Sequence, residues 1–308
     1  MKNKAVIPEQ FTTISSLHNY LKIKGPKNPL VSIISLDELE SDYLEIEKSL
    51  SYSYNFYVIG FKKNFEGKIR YGQQYYDFDA GVMTCIGPGQ VITIDKNSPS
   101  KVEGYLLVVH ADFFANYQLA TRIKEYGFFS YATNEALHLS DDEESLVISM
   151  FKNIDMEISA MIDLYTQDLV VSHIELLLNY CNRFYNRQFI TRKTISNGIL
   201  TKLEFELNNY FESKSLADNG LPSVQYIAEK LNVSPNYLSD MLRVFTGRST
   251  SQHIQDKAID KVKTLLTTTN LTVAEIAFEL GFEFPQSLNK FFKRKTNMTP
   301  IEYRQSMN

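Results

Sequence analysis

Asn236, Ser239, Asp240 and Arg243 fall on one helical face of a short segment, and Gln286, Ser287, Asn289, Lys290, Lys293 and Arg294 occupy the corresponding stretch of a second. Amides can hydrogen-bond adenine edges in pairs, Lys can meet guanine acceptors or phosphate, Arg can do either, and a carboxylate can accept from cytosine. Residues 284 to 301 hold no Asp or Glu, so Lys290, Lys293, Arg294 and Lys295 stand without local compensation. The chemistry on offer is recognition of double-stranded DNA rather than bond-making. No catalytic set competes with it: no Ser, His, Asp or Cys, His arrangement and no Gly-rich phosphate loop stands out. The five histidines, His18, His110, His138, His173 and His253, do not cluster as metal ligands must. Neither a metal nor a cofactor is expected, and His110 reads as a satisfied residue at a strand end.

The elements beneath these residues are written twice. SVQYIAEKLNV at 223 to 233 and TVAEIAFELGF at 272 to 282 share a hydroxyl, Val, Ile-Ala, Leu and a small turn residue, 49 positions apart. Thr272 and Glu275 have capping-box form, and Ser223 can cap without the carboxylate. Val224, Ile227, Ala228 and Leu231 make one apolar face, matched by Val273, Ile276, Ala277 and Leu280. Asn232 and Gly281 suit a left-handed turn. A second helix follows each turn: Ser234 and Pro235 start one, with Leu238, Met241, Leu242 and Phe245 inward, and Pro285 starts the other, with Leu288, Phe291 and Phe292 inward. A short helix, a tight turn and a longer helix make a helix-turn-helix, and this chain carries two. Between them Ile254, Ala258, Val262, Leu265 and Leu266 predict a helical strut. About 17 residues of helix span roughly 25 Å, enough to hold two recognition helices near the ~34 Å between successive major-groove faces.

The rest of the chain has a different rhythm. From about residue 56 to 114, FYVIGFKK, KIRYGQQYYDF, GVMTCI and QVITI predict antiparallel strands joined by turns, in a sandwich or a small barrel. Tyr52, Tyr54, Tyr57, Tyr71, Tyr75 and Tyr76 crowd this region as core or rim residues, since Tyr favours strands; a ringed ligand pocket is the alternative. Ser140 and Glu143 open a helix by a capping box, with Leu146, Met150, Ile154, Ile158 and Met161 at helical spacing. Leu169, Val170, His173, Leu177, Cys181 and Phe184 mark a second helix. Residues 186 to 198 are polar, basic and aperiodic, and are expected to link domain 1–185 to domain 199–308. The fold class is therefore α+β: an N-terminal antiparallel β-region with two helices, then an all-α region.

Size and charge agree with this division. The 308 residues suit about two domains. Residues 1 to 207 carry 20 basic against 26 acidic residues, and residues 208 to 308 carry 12 against 10, so the net charge of −4 conceals a mildly basic end. Cys85 and Cys181 form neither a disulfide framework nor a metal knuckle. The N-terminal apolar run stops before Pro8, and no segment reaches the ~18 apolar residues of a membrane span. A soluble cytoplasmic protein with no membrane partner is expected.

Residues 208 to 308 resemble the DNA-binding domain of the AraC/XylS family of bacterial transcription regulators. The resemblance is carried by IAEKLNVSPNYLSDML, by the helix ending in TLL, and by TVAEIAFELGFEFPQSLNKFFKRKTNMTPIEYR. Within the last, Gly281-Phe282, Phe291-Phe292, Lys293-Arg294 and the run from Pro300 to Arg304 match most specifically. The sequence departs from the family pattern at Asp240, at Phe284 in place of a capping Asp or Ser, and at Asn297 in place of Gly. The resemblance implies insertion of the outward faces of both second helices into DNA. It also implies an N-terminal cupin-like domain that senses a small-molecule effector and forms a homodimer, with RNA polymerase as a further partner and no enzymatic activity. The alternative is a metal-free cupin-like isomerase or hydrolase domain carrying a DNA-binding tail. A DNA-repair methyl acceptor would need a cysteine-rich metal site that two distant cysteines cannot build.

Overall fold

The computed structural model describes residues 9–39, 50–63, 70–71, 74–75, 81–94, 103–132, 135–191 and 193–307. The chain divides into two compact units, Met1–Gln188 and Phe189–Asn308.

In the first unit, β1 (Glu9–Phe11) leads into α1 (Ile14–Tyr20) and β2 (Val31–Ser35). Then follow β3 (Leu50–Tyr54), β4 (Tyr57–Lys63), β5 (Arg70–Tyr71), β6 (Gln74–Tyr75), β7 (Val82–Ile86), β8 (Val91–Ile94) and β9 (Glu103–Val109). The short α2 (Leu119–Arg122), β10 (Leu137–His138), α3 (Asp141–Ser159) and α4 (Thr166–Thr191) complete it. Strands β10-β7-β4-β9-β2 form an antiparallel sheet, β1-β3-β8 a second, and β5 and β6 pair antiparallel with each other. Among the described residues the sheets stay open rather than closing into a barrel, consistent with the sandwich of the two expected architectures. All four expected β segments hold strands. One pairing departs from the antiparallel expectation: β1 runs parallel to β3, with Phe11 opposite Tyr54, because the segment holding α1 intervenes instead of a hairpin turn.

The larger sheet is covered on both faces, which is why β4 and β9 read as continuous apolar runs rather than alternating ones. Val58, Val108 and Ile34 pack with Phe11, Tyr52 and Phe56. On the opposite face Met83 Sδ lies 3.9 Å from Cys181 Sγ of α4, and Tyr105 stacks on Phe151 of α3 at 5.8 Å. Glu144, buried near the start of α3, pairs with Lys63 and accepts from the Gly81 N–H at 3.2 Å, fastening helix to sheet. Tyr52 and Tyr57 are buried and Tyr54 is half-buried, as core and rim; the side chains of Tyr71 and Tyr75, and Tyr76 altogether, lie outside the described residues. Cys85 and Cys181 are free and buried.

The helical pattern after residue 140 is right in kind and wrong in detail at two places. The capping box forms, with Glu143 N donating to Ser140 Oγ and Ser140 N to Glu143 Oε2. Met161, however, lies beyond the end of α3 and is 93% exposed, and Leu169 faces outward on α4 while Ile174 and Leu178 are buried. The expected linker is helical instead of aperiodic coil, since α4 runs to Thr191 and α5 starts at Lys193. The cause lies in side chains that resemble solvated ones. Gln188 is buried, accepting from the His138 N–H at 2.8 Å and donating to the Ala136 carbonyl at 3.2 Å, while Arg187 donates to the His138 carbonyl at 2.8 Å.

The second unit is all helix: α5 (Lys193–Glu212), α6 (Ser215–Asn219), α7 (Val224–Leu231), α8 (Pro235–Thr246), α9 (Thr250–Thr268), α10 (Val273–Glu279), α11 (Pro285–Thr296) and α12 (Pro300–Met307). Helix α9 is its axis, packed against α5, α8, α10 and α12. No helix among the described residues is long and apolar enough to cross a membrane.

Candidate nucleic-acid interface

Local chemistry sets each short helix and its turn. Ser223 Oγ accepts from the Tyr226 N–H at 3.1 Å to start α7, which ends at Asn232 in the left-handed region with φ 56°. Thr272 and Glu275 close a reciprocal capping box at α10, and Gly281 makes the turn with φ 71°. A side chain is excluded at Gly281. An added Cβ would lie 2.4 Å from both the Gly220 Cα and the Leu216 carbonyl oxygen, so only glycine lets this turn seat against the end of α6.

The second helices have their expected phase. In α8, Leu238, Met241 and Leu242 are buried and Phe245 is half-buried; in α11, Leu288, Phe291 and Phe292 are buried. The outward positions follow. Asn236 and Arg243 of α8 are exposed, as are Gln286, Ser287, Lys290, Lys293 and Arg294 of α11, with Asn289 half-exposed. Ser239 and Asp240 are half-buried and already engaged. The Ser239 and Thr250 hydroxyls share a hydrogen bond at 3.0 Å, which holds α8 to the start of α9, and Asp240 Oδ1 accepts from Arg243 Nη1 at 2.6 Å. The only cation among the four outward residues of α8 is thus neutralised within its own helix. On α11, Lys290, Lys293 and Arg294 form no ion pair among the described residues.

Three residues outside the expected set hold the frame. Asp256 on α9 accepts from Arg248 Nη1 at 2.6 Å through one oxygen, and its other oxygen lies 3.8 Å from Lys295 Nζ. The same carboxylate therefore meets the residues just after α8 and in the last turn of α11. Arg304 of α12 donates to the carbonyls of Leu266 at 2.9 Å and Leu271 at 2.7 Å, capping the end of α9. Both roles were invisible in sequence because neither pair falls at helical i,i+4 spacing. Thr250 is fully buried; its place after the capping Ser249 resembles any exposed first turn. Burial also lowers the His253 pKa, favouring the neutral ring, which meets the Thr246 hydroxyl at 2.8 Å.

The first unit offers a different kind of feature, an open cleft of about 400 Å³ lined by Tyr57, Gln90, Lys124, Tyr126, Phe129 and Ser130. Among the described residues no group of three or more His, Cys, Asp or Glu could hold a metal ion. His110 caps the turn after β9, accepting from the Asp112 N–H at 3.3 Å, and His18 is buried between the Lys24 carbonyl and Ser32.

Comparison with known proteins falls on the helical unit. A family model described as a helix-turn-helix domain matches residues 227–306. The arabinose operon regulatory protein of Escherichia coli (strain K12) is 30% identical over 92 residues, 30% of this chain and 31% of that protein. Regulatory protein SoxS of Salmonella typhimurium (strain LT2) is 28% identical over 82 residues, 27% of this chain and 77% of SoxS. The solved DNA-binding domain of AdpA, in complex with a target DNA, aligns with 35% of this chain and 90% of that one at 22% identity and a TM-score of 0.30. The matches span 13%, 10% and 40% of the length of three other curated relatives. The C-terminal region of this chain is an AraC-type helix-turn-helix domain.

Proposed function

We propose that the chain is a sequence-specific transcription regulator whose α8 and α11 enter successive major grooves of one DNA duplex. The observation that carries this reading is the pair of helix-turn-helix units mounted on α9, with α7, α8 and α10 capped and with Lys290, Lys293 and Arg294 of α11 outward and in no ion pair among the described residues. The 19 residues of α9 span about 28 Å, a strut of the right size for grooves ~34 Å apart. Asn236 and Arg243 serve on α8, and Gln286, Ser287, Asn289, Lys290, Lys293 and Arg294 on α11. Ser239 and Asp240 support α8 from the rim, with Asp240 able to release Arg243 to phosphate. In this reading α11 supplies most of the affinity, because counterion release follows the cations delivered to the backbone.

The cleft beside Tyr57 and Lys124 has the volume of a small-molecule site, which supports an effector bound by the first unit. Exposed Met161, Ile162, Leu164, Leu169 and Leu176 around the α3–α4 connection support a homodimer through that surface. Selection of bound sequences from random duplexes, with and without a panel of metabolites, tests the reading. A recovered consensus with two elements about one helical turn apart supports it, and recovery of no preferred sequence overturns it.

A further inference from the structure

Phe284 opens α11 in a way that nothing among the described residues accounts for. The two helix-turn-helix units align at an offset of 50 residues here, which sets Phe284 against Ser234. Ser234 does what a helix start requires, accepting from the Tyr237 N–H at 3.3 Å. Phe284 occupies the same cap position with extended backbone, φ −134° and ψ 137°, makes no side-chain cap bond, and is 57% exposed. The Phe284 carbonyl accepts from the Ser287 N–H at 2.9 Å, so its side chain takes no part in starting the helix and holds an aromatic ring in water. The ring stands next to Gln286 and Ser287 at the end of the helix that reaches base edges in a helix-turn-helix. Glu283 precedes it, and from 284 to 301 there is no acidic residue, the cations of α11 beginning at Lys290.

We propose that Phe284 is a specificity-determining residue that buries its ring against the C5-methyl group of a thymine in the major groove. The inference rests on the DNA-binding reading above. Apolar contact with that methyl is the one base feature in the groove a phenyl ring can select, since every other edge there offers hydrogen bonds. The exposed ring is then a contact completed only on DNA. Ser234 at the first unit cannot supply it, so the two units read their sites by different chemistry.

The test uses the full chain and the duplex it prefers, with each thymine in turn replaced by deoxyuridine, which removes the methyl and keeps every hydrogen-bonding group. The wild-type protein loses about fourfold in affinity at one position, the value of one buried methyl group. Phe284→Ala binds the thymine duplex more weakly and no longer distinguishes it from the deoxyuridine duplex. Phe284→Ser restores a cap, so it unfolds at a higher temperature than wild type while showing the same loss of discrimination. If every deoxyuridine duplex binds as the parent does, or if Phe284→Ala keeps the wild-type ratio, the proposal is overturned. A Phe284→Ala protein with unchanged DNA affinity but altered transcription would overturn it too, assigning the ring to a protein partner. These outcomes differ from failure of the DNA-binding reading itself, in which the wild-type chain selects no duplex at all.

Discussion

Lys290 and Lys293 are one turn apart on α11, both exposed and neither ion-paired among the described residues, yet their expected partners differ. Lys290 is central on the helix, where a groove presents base edges, so Lys290→Ala should relax preference at one base position by ~1 to 3 kcal/mol. Lys293 lies in the last turn, where the backbone passes. Lys293→Ala should weaken all duplexes alike and lower the slope of log affinity against log salt by about one. Binding titrations on matched and mismatched duplexes at several salt concentrations separate the two; identical behaviour of both variants would show the assignment is wrong. The outward face was legible in sequence because the buried residues fix a 3.6-residue phase, and Leu288, Phe291 and Phe292 obey it. The engagement of Ser239 was not legible, because its partner Thr250 lies 11 residues away on another helix.

Among the elements, capping and turn chemistry decide where helices stop. Gly281→Ala combines a left-handed backbone with overlap against Gly220 and Leu216. It should destabilise the helical unit by about 2 to 4 kcal/mol, read as a shift in its denaturant midpoint; a shift below the error of that measurement would show that α6 yields easily. Acid tests the capping boxes. The Thr272 N–H and hydroxyl hold the Glu275 carboxyl below its ordinary value, and the Thr299 N–H and hydroxyl, with Lys293, do the same for Glu302. A depressed folded pKa stabilises above the unfolded value and is lost as pH falls through the folded one. The double variant Glu275→Gln, Glu302→Gln should therefore lose less stability than wild type as pH falls below about 4.5, measured by thermal unfolding across pH 6 to ~3. Equal acid sensitivity would remove these bonds as a source of pH dependence. Ser140, Ser223, Thr272 and Asn297 announced their helix ends because the signals are local. The parallel β1–β3 pair and the helical stretch around Gln188 were hidden, since each depends on partners more than 40 residues away in sequence.

For the whole molecule, the central claim is that one chain spans two turns of DNA from one side. The charge division was readable from composition, and the duplicated element from its 49-residue echo, but the roles of Asp256 and Arg304 in fixing the frame needed coordinates. Assembly carries its own expectation. If the chain forms the proposed homodimer, Leu164→Asp with Leu176→Asp should shift sedimentation from dimer toward monomer while leaving the helical unit's unfolding unchanged; a monomeric wild type or an unaltered dimer would contradict that interface. The spanning claim is met most directly by hydroxyl-radical footprinting of the full chain on its selected duplex, with Gln286→Ala and Asn236→Ala proteins run alongside. Protection should appear as two patches about 10 base pairs apart per protomer on one face of the helix, the first variant thinning one patch and the second the other. A single protected turn per protomer, thinned by only one of the two substitutions, would contradict the account.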